Sequence, residues 1–424
     1  LDVTVDETQY FNMDIQPNLQ INPLQGLTFR SQLNLQLSHE SYEYFKPSTV
    51  TNIKSPPPTT IEGDHNTTRR YYWQFENTLN YERTFGGHTV SGLAGYTMER
   101  YNSYSSSIHG YNYPDDAVKT LNAASETVGS TGESNWSLIS YLFRVSYDYN
   151  AKYLFTGTMR RDGSSRFGSE NKWGYFPSAS IGWNLSKESF FPDPQWLTNL
   201  KLRTSYGFSG NNSIGNYTWI SDMTIDNYTF GGEVIDGKSI AAMENIHLSW
   251  QRSREFDVGM DLTLFDGRLN FIFDYYSKIT ENMLWGVDIP GSSGYTSMMK
   301  NLGEIRNRGM EFTVNSVNVS NSDLTWETDF NISINRNKVL DLGPVERILY
   351  GHRNAWLTTV GKPMAMFRGY KSLGVIKDWE EFEEVATFAS QTKPGTPHYA
   401  DTDGNGIIDD RDKTIVGNPH PDFR

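Results

Sequence analysis

The chain has 424 residues, a net charge of −13, no cysteine and 14% aromatic residues, among them 25 Tyr and 23 Phe. The missing cysteines exclude disulfides, thiol catalysis and Cys-ligated zinc, and the acidic balance supplies no basic face for nucleic acid, which is not expected as a partner. No apolar run of about 18 residues is present to form a transmembrane helix, while the aromatic, Gly- and Asn-rich composition suits strands and turns rather than disorder.

Leu1-Asp2-Val3 carries no initiator Met and no charged-then-apolar leader, so the chain is expected to begin inside something larger or to have been trimmed. The first clear alternation sets Phe29, Leu33, Leu35 and Leu37 against Arg30, Gln32, Asn34 and Gln36, the period-two signature of a strand with one apolar face. A polar stretch near 41–68, with Pro56-Pro57-Pro58, reads as a loop. Tyr71, Tyr72 and Trp73 lead into a strand ending at Gly86-Gly87, a tight turn that needs positive φ. After a long loop near 102–134, Phe143, Val145, Tyr147 and Tyr149 alternate with Arg144, Ser146, Asp148 and Asn150, and the chain turns at Asn150-Ala151. Loops near 162–173 and 209–253 flank an intermediate connection at 187–197. Past Asp266-Gly267, Leu269, Phe271, Phe273 and Tyr275 oppose Asn270 and Asp274, and a loop follows near 280–301. Past the turn Ser320–Asp323, Leu324, Trp326, Phe330, Ile332 and Ile334 share one face, opposite Thr325, Glu327, Asp329, Asn331, Ser333 and Asn335. A last polar excursion covers 337–420.

A soluble sandwich would show the same alternation, but these strands often reach about ten residues, against about five or six in globular domains. Aromatics collect near strand ends (Tyr71 to Trp73, Tyr147 and Tyr149, Tyr275 and Tyr276), where an interfacial girdle sits. Short and long connections also take turns along the chain, as they do in an outer-membrane barrel. The expected fold is therefore all-β: residues 1–424 form part of an antiparallel transmembrane β-barrel. About a dozen strands amount to roughly half of a large barrel of about 22. Arg144, Asp148, Glu327 and Asp329 are expected to line its lumen.

The sharpest local motif lies in the last loop, at 401–412. An EF-hand loop supplies oxygen from positions 1, 3, 5, 7, 9 and 12, with Gly at 6. Here those positions are Asp401, Asp403, Asn405, the Ile407 carbonyl, Asp409 and Asp412, with Gly406 at the turn and Ile408 as the apolar anchor. A structural Ca²⁺ is the expected ligand, although an acidic, Gly-rich turn that binds nothing has similar composition. Asp rather than Glu at the last position shortens the reach and weakens the site, and Mg²⁺ demands tighter geometry.

No chemistry-bearing constellation accompanies it. The eight His are scattered, and neither a His-x-x-x-His nor a Gly-x-Ser-x-Gly motif occurs, so no enzyme is expected. The basic run Arg160-Arg161-Asp162-Gly163-Ser164-Ser165-Arg166 suits either lipopolysaccharide phosphates or internal pairing. Arg306 and Arg308, with Glu304, are expected to find acidic partners across a lumen. Tyr101, Tyr104, Tyr111, Tyr113, Trp219 and Trp285 suit sugar stacking as well as loop packing. No substrate-binding residue is assigned.

Several stretches, in order along nearly the whole chain, together resemble the SusC/RagA family of TonB-dependent transporters of Bacteroidetes. They are Asn135-Trp136-Ser137 to Phe155, Arg160 to Phe167, Trp173-Gly174-Tyr175-Phe176-Pro177-Ser178 with Gly182-Trp183, and Leu202 to Gly207 with Asn211 and Gly215-Asn216-Tyr217. Asp274-Tyr275-Tyr276 with Lys278-Ile279-Thr280, Asn301 to Phe312, Asp401 to Asp412, Gly417-Asn418-Pro419 and Pro421-Asp422-Phe423 complete the set. The resemblance implies a multi-pass outer-membrane protein that imports a glycan or oligopeptide, with a SusD-like surface lipoprotein as lid, TonB as energy source and outer-membrane lipid around the wall. In the family, an N-terminal extension, a TonB-contact segment and a plug domain precede this region, and further strands follow it. The plug and the TonB contact are therefore expected outside this chain. The alternative reading is a barrel that anchors a surface binding or adhesion protein.

Overall fold

In the computed structural model, residues 4–50, 58–192, 194–225, 227–235, 237–295, 297–388 and 392–423 are described. Leu1-Asp2-Val3, Pro56-Pro57 and Arg424 lie outside them. One antiparallel sheet of thirteen strands dominates. Its members are β1 (Val5–Ile15), β2 (Asn18–Leu24), β3 (Leu27–Lys46), β4 (Glu62–Phe85), β5 (His88–Tyr111), β6 (Glu126–Tyr149) and β7 (Tyr153–Ser164). They continue with β8 (Trp173–Asn184), β9 (Leu197–Asn211), β10 (Gln251–Leu264), β11 (Leu269–Asp288), β12 (Ser297–Ser320) and β13 (Thr325–Asp341). From β3 onward each strand pairs with the next in sequence; β1 and β2 pair in tandem along β3, with a break at Gln16-Pro17. This up-and-down order is the expected meander wall.

The short turns fall at one end of the sheet. Phe85–His88, Tyr149–Tyr153, Leu264–Leu269 and Ser320–Thr325 close hairpins there, where the sequence placed them. Gly86 and Gly267 adopt positive φ, as do Asn150, Ala151 and Asp266. A further hairpin joins β2 to β3 at Gln25-Gly26; a Cβ on Gly26 would lie 2.1 Å from the Glu82 carbonyl oxygen, so only glycine fits. The long connections all lie at the other end, called here the loop end.

The strands run further toward the loop end than alternation predicts. Residues 41–46, 62–68, 102–111, 126–134, 280–288 and 297–301, read from sequence as loop, are strand. β4, β5, β6 and β12 have 24 residues each, about 80 Å at 3.3 Å per residue, whereas a tilted strand crosses a bilayer in about 9–11 residues. The surplus is held by cross-strand backbone pairing, which needs no side-chain period, so periodicity reading misses it. The excursion expected at 337–420 is likewise structured. β14 (Arg347–Tyr350), β15 (Trp356–Thr359), β16 (Met366–Tyr370) and β19 (Lys413–Gly417) form a four-stranded sheet. β17 (Ser372–Val375) pairs with β18 (Pro397–Tyr399), and α1 (Trp379–Glu384) is capped by Asp378, whose side chain accepts from the Glu381 amide at 2.9 Å.

Burial inverts the pattern of a soluble sheet. Phe75, Leu79, Phe143, Phe155, Ile181, Tyr206, Phe256, Met310, Phe330 and Ile334 are exposed on one face of the wall. The buried apolar residues instead gather toward the loop end: Phe167, Phe176, Ile214, Leu248 and Trp250 in one cluster, Phe45, Ile61 and Tyr113 in a second, Ile305, Val339 and Leu342 in a third. A wall with one bare apolar face is stable in lipid, where burying that face within the protein is unnecessary.

Candidate metal centre, lumenal charges and loop scaffold

The 401–412 loop connects β18 to β19. Gly404 and Gly406 adopt positive φ and curl the chain around Asp401. Asp401 Oδ1 accepts from the Gly404 amide at 2.6 Å and Oδ2 from the Gly406 amide at 2.8 Å. Asp412 is fully buried; its Oδ1 accepts from the Thr402 amide at 2.7 Å and its Oδ2 from the Asp409 amide at 2.8 Å. These donors, the Asp409 amide foremost, hold its carboxyl below the ordinary carboxylate range. Carboxylate oxygens of Asp401, Asp403 and Asp412 all lie within 4.8 Å of one another.

Three of the six expected ligands thus converge, and an all-oxygen, anionic set suits a hard divalent cation. Of the other three, the Asn405 and Asp409 side chains are held in turn hydrogen bonds. Asn405 Oδ1 accepts from the Ile407 amide at 2.8 Å, and Asp409 Oδ1 from the Arg411 amide at 2.7 Å. Ile407 forms a parallel bridge with Thr387. Ile408, the expected apolar anchor, is buried.

The polar face of the wall carries paired charges. Arg203 on β9 reaches Asp274 on β11 at 2.6 Å, with Asp261 at 3.2 Å and Asp257 at 3.6 Å on the intervening β10. Gly259 is the direct cross-strand partner of both Arg203 and Asp274. A Cβ there would stand 2.4 Å from Asp274 Oδ1 and 2.5 Å from Arg203 Cζ, so its absence makes room for the pair. On the same face Arg160 binds Asp162 at 2.8 Å and Ser140 at 3.0 Å. Arg144, Asp148, Glu327 and Asp329 lie on this polar face, as expected; Arg144 donates to Thr158 Oγ1 at 3.2 Å, and Asp329 accepts from Asn315 at 2.6 Å.

Arg306 and Arg308 do not. They share the parity of Met310, so the pleat turns them to the apolar face, and Glu304 binds Arg254 at 3.2 Å. Pleat parity also splits the expected girdle pairs. Tyr71 and Tyr275 stay with the apolar face, whereas Tyr72, which binds Glu99 at 3.2 Å, and Tyr276 point the other way.

The residues around Arg166 interlock two loops with the loop-end half of β6. Arg166 Nε donates to Asn216 Oδ1 at 3.0 Å and its Nη1 to the Asn212 carbonyl at 3.2 Å, while its guanidinium sits 5.0 Å from the Trp136 ring centre. Asn216 in turn donates to Ser134 Oγ at 2.7 Å, and the Asn135 amide to Tyr217 Oη at 3.1 Å. Trp250, a member of the first buried cluster, donates from Nε1 to the Lys172 carbonyl at 3.0 Å. The basic run is therefore partly internal, as Arg160 and Arg166 show, while Arg161 lies over Trp173 at 4.1 Å. Sequence reading missed Arg166 as a hub; the nearby Asn211-Asn212, Asn216 and Trp136 were the available signal.

The loop aromatics have packing partners: Tyr101 stacks on Trp136, Tyr104 meets Tyr71 edge-on, Tyr111 tilts on His109, and Trp285 meets Tyr350. Tyr113 is buried against Phe45, and Trp219 packs on the first cluster.

The profile of the TonB-dependent receptor-like β-barrel family matches residues 3–368. TonB-dependent receptor P3 of Formosa agariphila is 34% identical over 410 residues, covering 94% of this chain and 41% of its own length. TonB-dependent receptor SusC of Bacteroides thetaiotaomicron is 30% identical over 297 residues, covering 68% of this chain and 29% of its own length. The chain thus spans about two fifths or less of these relatives. The solved RagAB peptide transporter superposes with a TM-score of 0.85 at 21% identity, over 99% of this chain and 46% of that one.

Proposed function

This chain belongs to the TonB-dependent receptor β-barrel family, in its SusC/RagA branch, and forms part of a multi-pass outer-membrane wall; from that premise we propose that its protein imports a glycan or an oligopeptide nutrient. The observation that carries the reading is the wall's inner face, a polar surface whose charges pair across strands and keep an acidic excess, as at Arg203 with Asp257, Asp261 and Asp274. Such a face offers a polar cargo hydrogen-bonding and charged groups in place of an apolar wall. In this reading the wall acts passively, TonB supplies force through regions outside this chain, and a SusD-like lipoprotein closes the loop end. RagAB is a peptide transporter; at 21% identity its likeness supports the fold and leaves glycan and peptide both open here.

Within the same reading, Asp401, Asp403 and Asp412 hold Ca²⁺, with Asn405, the Ile407 carbonyl and Asp409 completing the shell when the cation draws them in. The ion would cross-link the loop between β18 and β19 and brace the four-stranded sheet.

Disrupting the gene and growing the strain on defined polysaccharides or peptide mixtures as sole nutrient tests import. Loss of growth and of labelled-nutrient uptake on one class is expected. Undiminished uptake of every class would sink the proposal, and loss of surface attachment alone would point to adhesion.

A further inference from the structure

Pleat parity decides which basic residues of the wall look toward lipid. On β10 to β13, Val258, Tyr275, Met310 and Ile334 are direct cross-strand partners and make an apolar row on the outer face. One row nearer the loop end, Arg308 stands directly opposite Arg336; in the next, Arg306 stands directly opposite Lys338. On the other flank of β12 their partners are Ser277 and Ile279, which carry no charge.

Like charges placed opposite one another destabilise a sheet, and here two such pairs are stacked. Neighbouring strands lie about 5 Å apart and same-face residues about 7 Å apart, so four cations crowd one small rectangle. Nearby carboxylates compensate only the margins: Glu304 binds Arg254 at 3.2 Å, and Asp422 binds Arg336 at 2.8 Å. Arg306, Arg308 and Lys338 form no ion pair among the described residues, and Arg308 and Lys338 are exposed.

We propose that Arg306, Arg308, Arg336 and Lys338 bind the phosphate of an outer-leaflet glycolipid. Guanidinium forks match phosphate oxygens in bidentate fashion, and a phosphate between the two pairs converts their repulsion into attraction. The apolar row identifies the occupant as a lipid rather than a free anion. Tyr275, Met310 and Ile334 continue below the cations and offer an acyl chain its surface, which places the cations at headgroup depth.

Native mass spectrometry of the whole protein, extracted from outer membranes in mild detergent and titrated with lipid A, tests the assignment. Phosphorylated lipid A is expected to bind the wild type at least tenfold tighter than its dephosphorylated form. The Arg306→Gln/Arg308→Gln double variant, with heat-modifiable migration as proof of a folded barrel, is expected to lose that preference. Millimolar inorganic phosphate is expected to leave the bound lipid in place. Equal binding of the two lipids by the wild type overturns the proposal whether or not the variant folds, and so does an unchanged preference in a folded variant. Displacement by inorganic phosphate overturns the lipid assignment in favour of a small-anion site.

Discussion

Replacing Arg166 by Ala should unlock the loop scaffold while leaving the wall intact. The guanidinium donates to Asn216 Oδ1 and to the Asn212 carbonyl, and lies on the Trp136 ring. Burial lowers its pKa from the ordinary value, which marks the charge as partly withdrawn from water. Hydrogen bonds to charged groups contribute about 1.5–3 kcal/mol each, and a cation–π contact about 0.5–1 kcal/mol. The contributions are not additive, and water will solvate part of what is exposed, so a loss of about 3 kcal/mol in local opening is the working figure. That corresponds to about 150-fold faster amide exchange, since about 1.4 kcal/mol is one decade. Hydrogen exchange with mass spectrometry should show the acceleration in peptides spanning 134–137 and 211–219, with β10 to β13 unchanged. Unaltered exchange in 211–219 would refute the role of Arg166 as the tie between these loops; acceleration throughout the wall would show instead that the loops and wall unfold as one unit.

Other perturbations probe separate parts. Gly259→Val thrusts a side chain into the Arg203–Asp274 pair and should destabilise the wall by about 1–3 kcal/mol, read as a lower urea midpoint with Gly259→Ala between it and wild type. Asp412→Asn should weaken Ca²⁺ binding at least about tenfold, equivalent to about 1.4 kcal/mol, measured by calorimetry; in the wild type a chelator should speed proteolysis within 401–412. Hydrogen bonding from Lys413 first, then from Arg368, holds the Asp410 carboxyl below the ordinary range. With the folded pKa below the unfolded value of about 3.9, this brace is complete above that pH and is lost as the pH falls through the folded pKa. Amide protection at 410–417, corrected for the intrinsic pH dependence of exchange, should therefore hold at pH 5 and fall below about pH 4, a step that Asp410→Asn should abolish.

The parts legible in the sequence are those where lipid imposes a period. Phe143 to Tyr149, Leu269 to Tyr275 and Leu324 to Ile334 alternate because one face meets hydrocarbon, and Gly86-Gly87 and Asp266-Gly267 are visible because tight turns need positive φ. Beyond the membrane neither face is forced to be apolar, so the strand at 102–111 and that at 126–134 look like loop although every residue pairs across the ladder. The acidic loop was legible as a spacing, and Asp401, Asp403 and Asp412 converge as the spacing implies. The turn chemistry that occupies Asn405 and Asp409 depends on backbone shape, which spacing alone does not report. Charge alone points Arg306 and Arg308 to the lumen, and parity reverses that. Counting back by twos from Phe312 and Met310 places both on the lipid side.

The central claim, a wall with lipid on one face and an aqueous lumen on the other, is tested most directly by spin-label scanning. The chain has no native cysteine, so single Cys substitutions from Tyr141 to Asp148 on β6 can each carry one nitroxide. Oxygen accessibility should peak at Tyr141, Phe143, Val145 and Tyr147, and water-soluble nickel accessibility at Leu142, Arg144, Ser146 and Asp148. Two out-of-phase profiles of period two are the predicted result; profiles that rise and fall together along the strand would contradict the account.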